Sequence, residues 1–210
     1  MSLKLGNTAV NKLYLGATQI NKSYLGATLV LNTGTPVVRI NPGAGIRVSN
    51  DAYIDWEAND AVDPGSGGQQ SDSGALWTMS LGNKFPSNVT WDVSLVTTLG
   101  YNESDILSLF DGEIFGDGLQ YTFTLDDGDY DVILMFGEVF HINSGTRIFD
   151  ILVNGVIIED DLDMFIYTGG KFIAKPYIFS HTVTGSTPLV VRFNASVDNA
   201  SVSGIEIRQK

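Results

Sequence analysis

Between residues 119 and 136 the chain alternates with a period of two. Leu119, Tyr121, Phe123 and Leu125 are separated by polar residues. The run then stops at Asp126-Asp127-Gly128-Asp129 and restarts with Tyr130, Val132, Leu134 and Phe136. A two-residue period puts one apolar face on each segment, which a helix does not provide. The tight Asp/Gly turn between them predicts two half-buried antiparallel strands. Similar signals predict strands at 147–153, ended by the hairpin turn Asn154-Gly155 leading into Val156-Ile157-Ile158, and at 178–183, 188–194 and 202–208. Upstream, Thr33-Gly34-Thr35-Pro36 is a turn-rich joint, followed by the strand Val37–Asn41 and a closing Pro42-Gly43-Ala44-Gly45. One helix is predicted at Glu103–Phe110, with Asn102 as its N-cap. Residues 59–75, rich in Asp, Gly, Ser and Gln, read as a long surface loop. Trp56 reads as buried. Many short strands with Gly/Asn/Asp turns imply an all-β, jelly-roll type two-sheet sandwich.

Ahead of the joint the sequence repeats every ten residues. Leu5-Gly6-Asn7-Thr8, Leu15-Gly16-Ala17-Thr18 and Leu25-Gly26-Ala27-Thr28 stand in register, each followed by a Val or Ile. Units this short are too brief for helical repeats and predict very short strands separated by turns. They cannot bury a core alone, so residues 1–33 are expected to form an arm that docks on a partner or on identical copies. Residues 34–210 are expected to form the sandwich.

Composition excludes several classes. Twelve Lys and Arg against 24 Asp and Glu give a net charge of −12, a field that repels polyanions, so no nucleic-acid partner is expected. No stretch of about 18 to 20 apolar residues exists, and Met1-Ser2-Leu3-Lys4 runs into the repeat without an apolar h-region. Neither membrane insertion nor a signal peptide is expected. With no cysteine, disulfides, thiolate nucleophiles and zinc–thiolate sites are ruled out.

The chemistry-bearing residues are sparse in pattern. The two histidines, His141 and His181, lie forty residues apart and do not have ligand spacing. Asp126-Asp127-Gly128-Asp129 and Glu159-Asp160-Asp161-Leu162-Asp163 have the oxygen ligands of a structural calcium site, but equally those of solvated turn-formers. Serine-hydrolase, P-loop and dinucleotide motifs are absent, and no carboxylate pair is singled out for glycoside hydrolysis. The chain is therefore expected not to be an enzyme. Aromatic and polar residues at the loop ends, Phe115, Phe140, His141, Asp198 and Asn199, with Trp56 and Trp77 less well placed, are of the kind that packs on sugar C–H faces and exchanges hydrogen bonds with hydroxyls.

Two resemblances sharpen these expectations. The ten-residue units resemble the LGxTxIxKxYLG repeats near the start of phage tail and other virion structural proteins, which implies attachment to other virion proteins, or homo-oligomerisation, in a bacteriophage particle assembled in the host cytoplasm. The body resembles the malectin domain, a carbohydrate-binding β-sandwich. The similarity is carried by Gly128-Asp129-Tyr130, Leu134 to Phe140, Arg147 to Ile151, Val153-Asn154-Gly155, Asp161 to Phe165, Arg39-Ile40-Asn41 with Gly43, and Ser203 to Ile207.

In that family an aromatic pair following a Phe-Ala-Glu motif falls here on Phe140 and His141, next to Glu138. A sugar-binding aspartate falls on Asp198, followed by Asn199. A family tyrosine falls at Ile114 or Phe115 and loses its hydroxyl, and the first binding tyrosine has no counterpart in the loop around Asp60 to Trp77. The resemblance thus implies carbohydrate contacts from Phe115, Glu138, Phe140, His141, Asp198 and Asn199. It does not carry over malectin's preference for an α-linked glucose disaccharide. Two alternatives stand beside a virion protein that binds host-surface carbohydrate: a structural spacer with a decayed sugar site, and a glycan-active enzyme.

Overall fold

The computed structural model describes residues 89–110 and 112–210, together with the strand segments named below that precede them. In the repeat, β1 (Lys4–Leu5) pairs with β2 (Thr8–Ala9), β3 (Leu13–Leu15) with β4 (Thr18–Ile20), and β5 (Lys22–Leu25) with β6 (Thr28–Asn32). All three pairs are antiparallel, with registers Leu5↔Thr8, Leu15↔Thr18 and Leu25↔Thr28. Between these partners the sequence holds Gly6-Asn7, Gly16-Ala17 and Gly26-Ala27, glycine first, as two-residue hairpin connections favour. Each ten-residue unit is thus one hairpin, made of the short strands the periodicity predicts.

The body runs β7 (Thr35–Asn41), β8 (Glu57–Ala58), β9 (Gln69–Gln70), β10 (Leu76–Met79), β11 (Asn83–Pro86), α1 (Ser94–Thr97), α2 (Glu103–Leu109), β12 (Gly112–Gly116), β13 (Gln120–Thr124), β14 (Gly128–Gly137), β15 (Ile148–Val153), β16 (Val156–Asp163), α3 (Met164–Thr168), β17 (Ala174–Val183), β18 (Leu189–Val197), β19 (Ala200–Val202) and β20 (Gly204–Gln209). Two sheets form the sandwich, ordered β16-β15-β18-β13-β10-β9 and β17-β14-β20-β7-β8. A third, short sheet is ordered β11-β12-β19. Apart from the parallel pair β7–β8, their pairings are antiparallel. Tyr121, Phe123, Phe149, Ile151, Val191 and Phe193 of the first sheet share one core with Val38, Ile40, Val132, Leu134, Phe136 and Ile207 of the second. Each such fully buried side chain contributes about 1.5 to 3 kcal/mol.

The two alternating segments do not pair with each other. β13 belongs to the first sheet and β14 to the second, so the Asp126–Asp129 turn carries the chain across the sandwich. Alternation fixes which face is buried, not which sheet a strand joins; both strands aim their apolar faces into the same interlayer. Nor is β14 half-buried. Its outer residues Ile133 and Met135 are covered by a second core with Trp91, Val96, Ile106, Leu109 and Phe110 from the helical segment. Gly137 is required there, because a Cβ would overlap the Trp91 ring.

Elsewhere local signals hold. Asn102 Oδ1 accepts from Ser104 N at 2.9 Å and starts α2. The hairpin β15–β16 closes as Val153↔Val156 over Asn154 (φ 49°) and Gly155 (φ 80°), both left-handed as a type I′ turn demands. Strand β16 runs on to Asp163, so the acidic stretch 159–163 is strand rather than turn. Helices α1 and α3 were not foreseen, because four and five residues are too few to show a helical period. Pro42–Gly45 and Trp56 lie outside the described residues, as do residues 59–68 and 71–75 of the expected loop, whereas Gln69–Gln70 forms β9. Among the described residues, no helix is long and apolar enough to cross a membrane.

Candidate functional site

The chain leaves β14 at Gly137 and re-enters the sheets at Ile148, and this connection forms one wall of a cavity of about 220 Å3. Glu113, Phe115, Val139, Phe140, Arg147, Asp198 and Asn199 line it. Clefts for drug-sized ligands span about 300–1,000 Å3, so this cavity is smaller than such a cleft. Alternation along β12 explains two of the lining residues. Glu113 and Phe115 share the cavity face, while Ile114 points into the sandwich core. Phe115 is thus the residue that stands at the site.

Beneath the wall, Glu138 is fully buried. Its Oε1 accepts from Phe140 N at 2.7 Å and His141 N at 2.9 Å, and its Oε2 accepts from Arg147 Nε at 2.8 Å. A buried carboxylate so satisfied is a strut for the connection. Expected to contact carbohydrate directly, Glu138 instead sets the backbone that presents Phe140 and His141, and it is not on the lining. Phe140 projects with 66% of its surface exposed, edge-on to the His141 ring.

Another part of the lining comes from the tight link between β18 and β19. Asp198 has φ 58°, a left-handed conformation costly for a side chain with a Cβ but better tolerated by Asp and Asn. Its Oδ2 lies 2.8 Å from His141 Nε2 and 3.7 Å from Arg147 Nη2. Asn199 Nδ2 donates to Oδ1 at 3.3 Å, and Arg147 Nη1 donates to Asn199 O at 2.7 Å. Burial alone would raise the Asp198 carboxyl, but the His141 hydrogen bond, Arg147 and the Asn199 backbone together hold it below the usual carboxylate range. Facing an ionised carboxylate, His141 Nε2 carries the proton. Glu113 shifts the other way. Burial, opposed by Arg147 and the Ser201 hydroxyl and reinforced by Glu138 and Asp198, pushes it up to about 7.

Four of the expected contacts, Phe115, Phe140, Asp198 and Asn199, therefore meet at one cavity, with His141 holding Asp198 and Glu138 behind. Trp77 lies on β10, where its backbone pairs with Phe123 and Gln69. Sequence reasoning passed over Glu113, Val139 and Arg147. Arg147 had a readable signal, the single Lys or Arg in the stretch 138–147, nine residues after Glu138. Glu113 would have emerged had the alternation Glu113-Ile114-Phe115 been read as a strand.

The acidic segments divide. Asp127 accepts from Ser186 N, and Asp129, on β14, accepts from its cross-strand partner Thr182 Oγ1, so both are tied to distant segments. Glu159 accepts from Tyr177, and Asp163 caps α3 through Ile166 N. Asp160 and Asp161 meet Asp150 with carboxylate oxygens within 4.8 Å of one another, a grouping of oxygen ligands of the type calcium takes. His181 sits on β17 opposite Tyr130, apart from both groups.

A profile of the malectin domain family matches residues 37–205. A search of curated proteins finds no match. Among solved structures, Bacteroides uniformis beta-glucuronidase is similar at TM-score 0.61 and 20% identity, over 82% of this chain and 18% of that one. The ANXUR2 extracellular domain from Arabidopsis thaliana is similar at TM-score 0.64 and 16% identity, over 83% of this chain and 48% of that one. The plant receptor-like kinase FER is similar at TM-score 0.61 and 17% identity, over 83% and 49%. The chain spans less than a fifth of the glucuronidase and about half of each receptor structure, and at these identities the likeness is one of fold. Matched by the family profile across nearly all of its sandwich, the chain belongs to the malectin domain family, a family of carbohydrate-binding β-sandwiches.

Proposed function

We propose that this protein is a non-catalytic carbohydrate-binding component of a bacteriophage virion, in a tail, fibre or surface decoration. The cavity takes a sugar of the host surface, and residues 1–33 attach the sandwich to other virion proteins or to identical copies. The observation that carries the binding role is Phe140, exposed beside a carboxylate that His141 and Arg147 hold in place. An aromatic face next to a fixed acceptor matches the apolar C–H faces and the hydroxyls of a sugar. Single contacts of this size are weak, and many copies on a particle would multiply them into avidity. The virion role rests on the repeat alone, three hairpins with leucine and threonine in fixed register.

The test is a glycan array that includes microbial surface polysaccharides, probed with labelled full-length protein in calcium and again in chelator. Reproducible hits lost on Phe140→Ala are expected. A blank array at high protein concentration would leave a structural spacer in its place. Deleting residues 1–33 should abolish oligomers or particle binding, and their persistence would remove the docking role. An effect of chelator would assign a needed ion to the acidic residues.

A second reading, a glycan-active enzyme, is favoured by one observation. Glu113, raised to about 7, and Asp198, held low, share a cavity, the division of roles seen in glycosidase carboxylate pairs. Release of reducing ends from a polysaccharide panel, lost in Glu113→Gln, would establish it.

A further inference from the structure

The hydrogen-bonding capacity of the cavity is one-sided. Its cation, Arg147, is 5% exposed and turned inward, with Nε on Glu138, Nη1 on the Asn199 carbonyl and Nη2 toward Asp198. The His141 Nε2 proton is directed at Asp198, and so is the Asn199 amide. Three donors at the mouth, His141 Nε2, Asn199 Nδ2 and, at 3.7 Å, Arg147 Nη2, thus point at one carboxylate. What the mouth presents to a ligand is chiefly acceptor capacity, the remaining lone pairs of Asp198, whose side chain is 36% exposed, beside the second N–H of the Asn199 amide. The guanidinium fork that holds carboxylates bidentately is already engaged by Glu138, the Asn199 carbonyl and Asp198.

Charge points the same way. Among the described residues, the groups facing the cavity from its surrounding elements are Glu113 on β12, Asp198 after β18, and Arg147 ahead of β15, with Glu138 and His141 of the long connection directly behind. Three carboxyl groups, of which Glu138 and Asp198 are the carboxylates below about pH 7, thus stand around one guanidinium. Burial is the main reason that the Glu113 carboxyl stays protonated up to about pH 7, with Glu138 and Asp198 adding to it and Arg147 opposing.

We propose, resting on the saccharide reading above, that this cavity selects uncharged or amino-bearing sugars and rejects sugars that carry a carboxylate. A hydroxyl or ammonium donates to Asp198, while a uronate brings an acceptor to acceptors and a like charge to an acidic pocket.

The test uses full-length protein on an array printed with matched pairs that differ by oxidation at C6, glucan against glucuronan, galactan against galacturonan and mannan against mannuronan oligosaccharides, with chitosan oligosaccharides as the amino arm. The runs are made at about 0.15 M and about 0.5 M salt, the second to suppress the long-range field of the acidic chain. Signal is expected on neutral or chitosan ligands, with each uronate at least about tenfold weaker than its neutral partner at both salts. The double variant Glu113→Gln with Asp198→Asn should shrink that ratio below about threefold. A uronate bound as well as its neutral partner would overturn the charge selection while leaving the saccharide site standing. A ratio unchanged in the double variant would overturn its assignment to this cavity. An array blank for all classes would sink both the selection and the site.

Discussion

Two arginine–carboxylate clusters occupy this sandwich, and they are built from the same chemistry to different ends. In one, Arg39 Nε donates to Glu206 Oε2 at 2.7 Å, Arg208 Nε donates to the other Glu206 oxygen, and the Arg208 guanidinium lies 4.9 Å from the Tyr101 ring centre. All four residues are buried, Arg39, Glu206 and Arg208 on the outer face of β7 and β20 and Tyr101 in the segment that leads into α2, while Val38, Ile40, Ile205 and Ile207 on the other face pack into the interlayer core. Tyr101 is held neutral there, since burial raises its hydroxyl far above the usual range. In the second cluster, Arg147 and Glu138 are equally buried, but the network continues outward to Asp198, whose backbone is left-handed and whose side chain reaches solvent. The sealed cluster is closed off by its neighbours, whereas the open one extends its polarity to a surface where a ligand can use it. Burial of charge by itself does not mark a site; a partly exposed, strained end to the network does.

The largest effect expected from this contrast is in the sealed cluster. Glu206→Ala leaves two guanidinium groups in the interior without that carboxylate and should cost about 3 to 5 kcal/mol. Arg147→Ala should cost less, about 1.5 to 3 kcal/mol, because Glu138 keeps its two backbone N–H donors and water enters through the cavity. Urea melts of the two variants measure the difference directly. Equal losses would mean that the cavity gives no solvent relief and that the two clusters are energetically alike.

This contrast also explains what the sequence could show. The strands were legible because alternating side chains declare a buried face, as at Tyr121, Phe123, Phe149 and Ile151, and because Asn154-Gly155 and Asn102 carry local turn and cap chemistry. The placing of β13 and β14 in opposite sheets was not, since an Asp-Gly turn serves a crossover as well as a hairpin. At the site, Phe140 and Asp198 were readable from ordered motifs. Arg147 and Glu113 act through groups 9 to 85 positions away along the chain, Glu138 and Asp198, and only the folded pairing of β12 with β19 and the return at Ile148 bring them together. Arg39 and Glu206 pair across 167 positions, again something no local pattern encodes.

Glu113 offers the next largest effect, and one that separates the clusters by pH. Its carboxyl titrates near 4.5 in an unfolded chain and at about 7 in the fold, chiefly through burial. Between those values the folded state holds a proton that the unfolded state has released, so stability falls as pH rises through the window and levels off above about 7. At about 1.4 kcal/mol per unit the penalty reaches on the order of 3 kcal/mol. Glu113→Gln should remove that slope and leave the variant more stable than the parent at pH 8 but not at pH 4. Chemical melts at the two pH values are the check. A parent whose stability is level from pH 4.5 to 7 would show that Glu113 ionises freely.

The smallest effect on stability falls on the residue with the largest expected effect on binding. Asp198 sits at the exposed end of the open network, where ion pairs are worth about 0 to 1 kcal/mol. Its lowered carboxyl contributes only while ionised, so that small stabilisation is present near neutrality and fades as pH falls through the carboxylate range. Asn tolerates the φ of 58° as Asp does and keeps the shape of the side chain. Asp198→Asn should therefore melt within about 1 kcal/mol of the parent while losing at least about tenfold in affinity for whichever glycan the array identifies, since the acceptor on which the mouth converges is now a weaker, neutral one. A variant that loses stability and keeps its affinity would reverse the roles of the two clusters and make the open one structural. A variant that loses neither would place the ligand on Phe140 alone, because the aromatic face is the part of the wall that does not depend on the Asp198 charge.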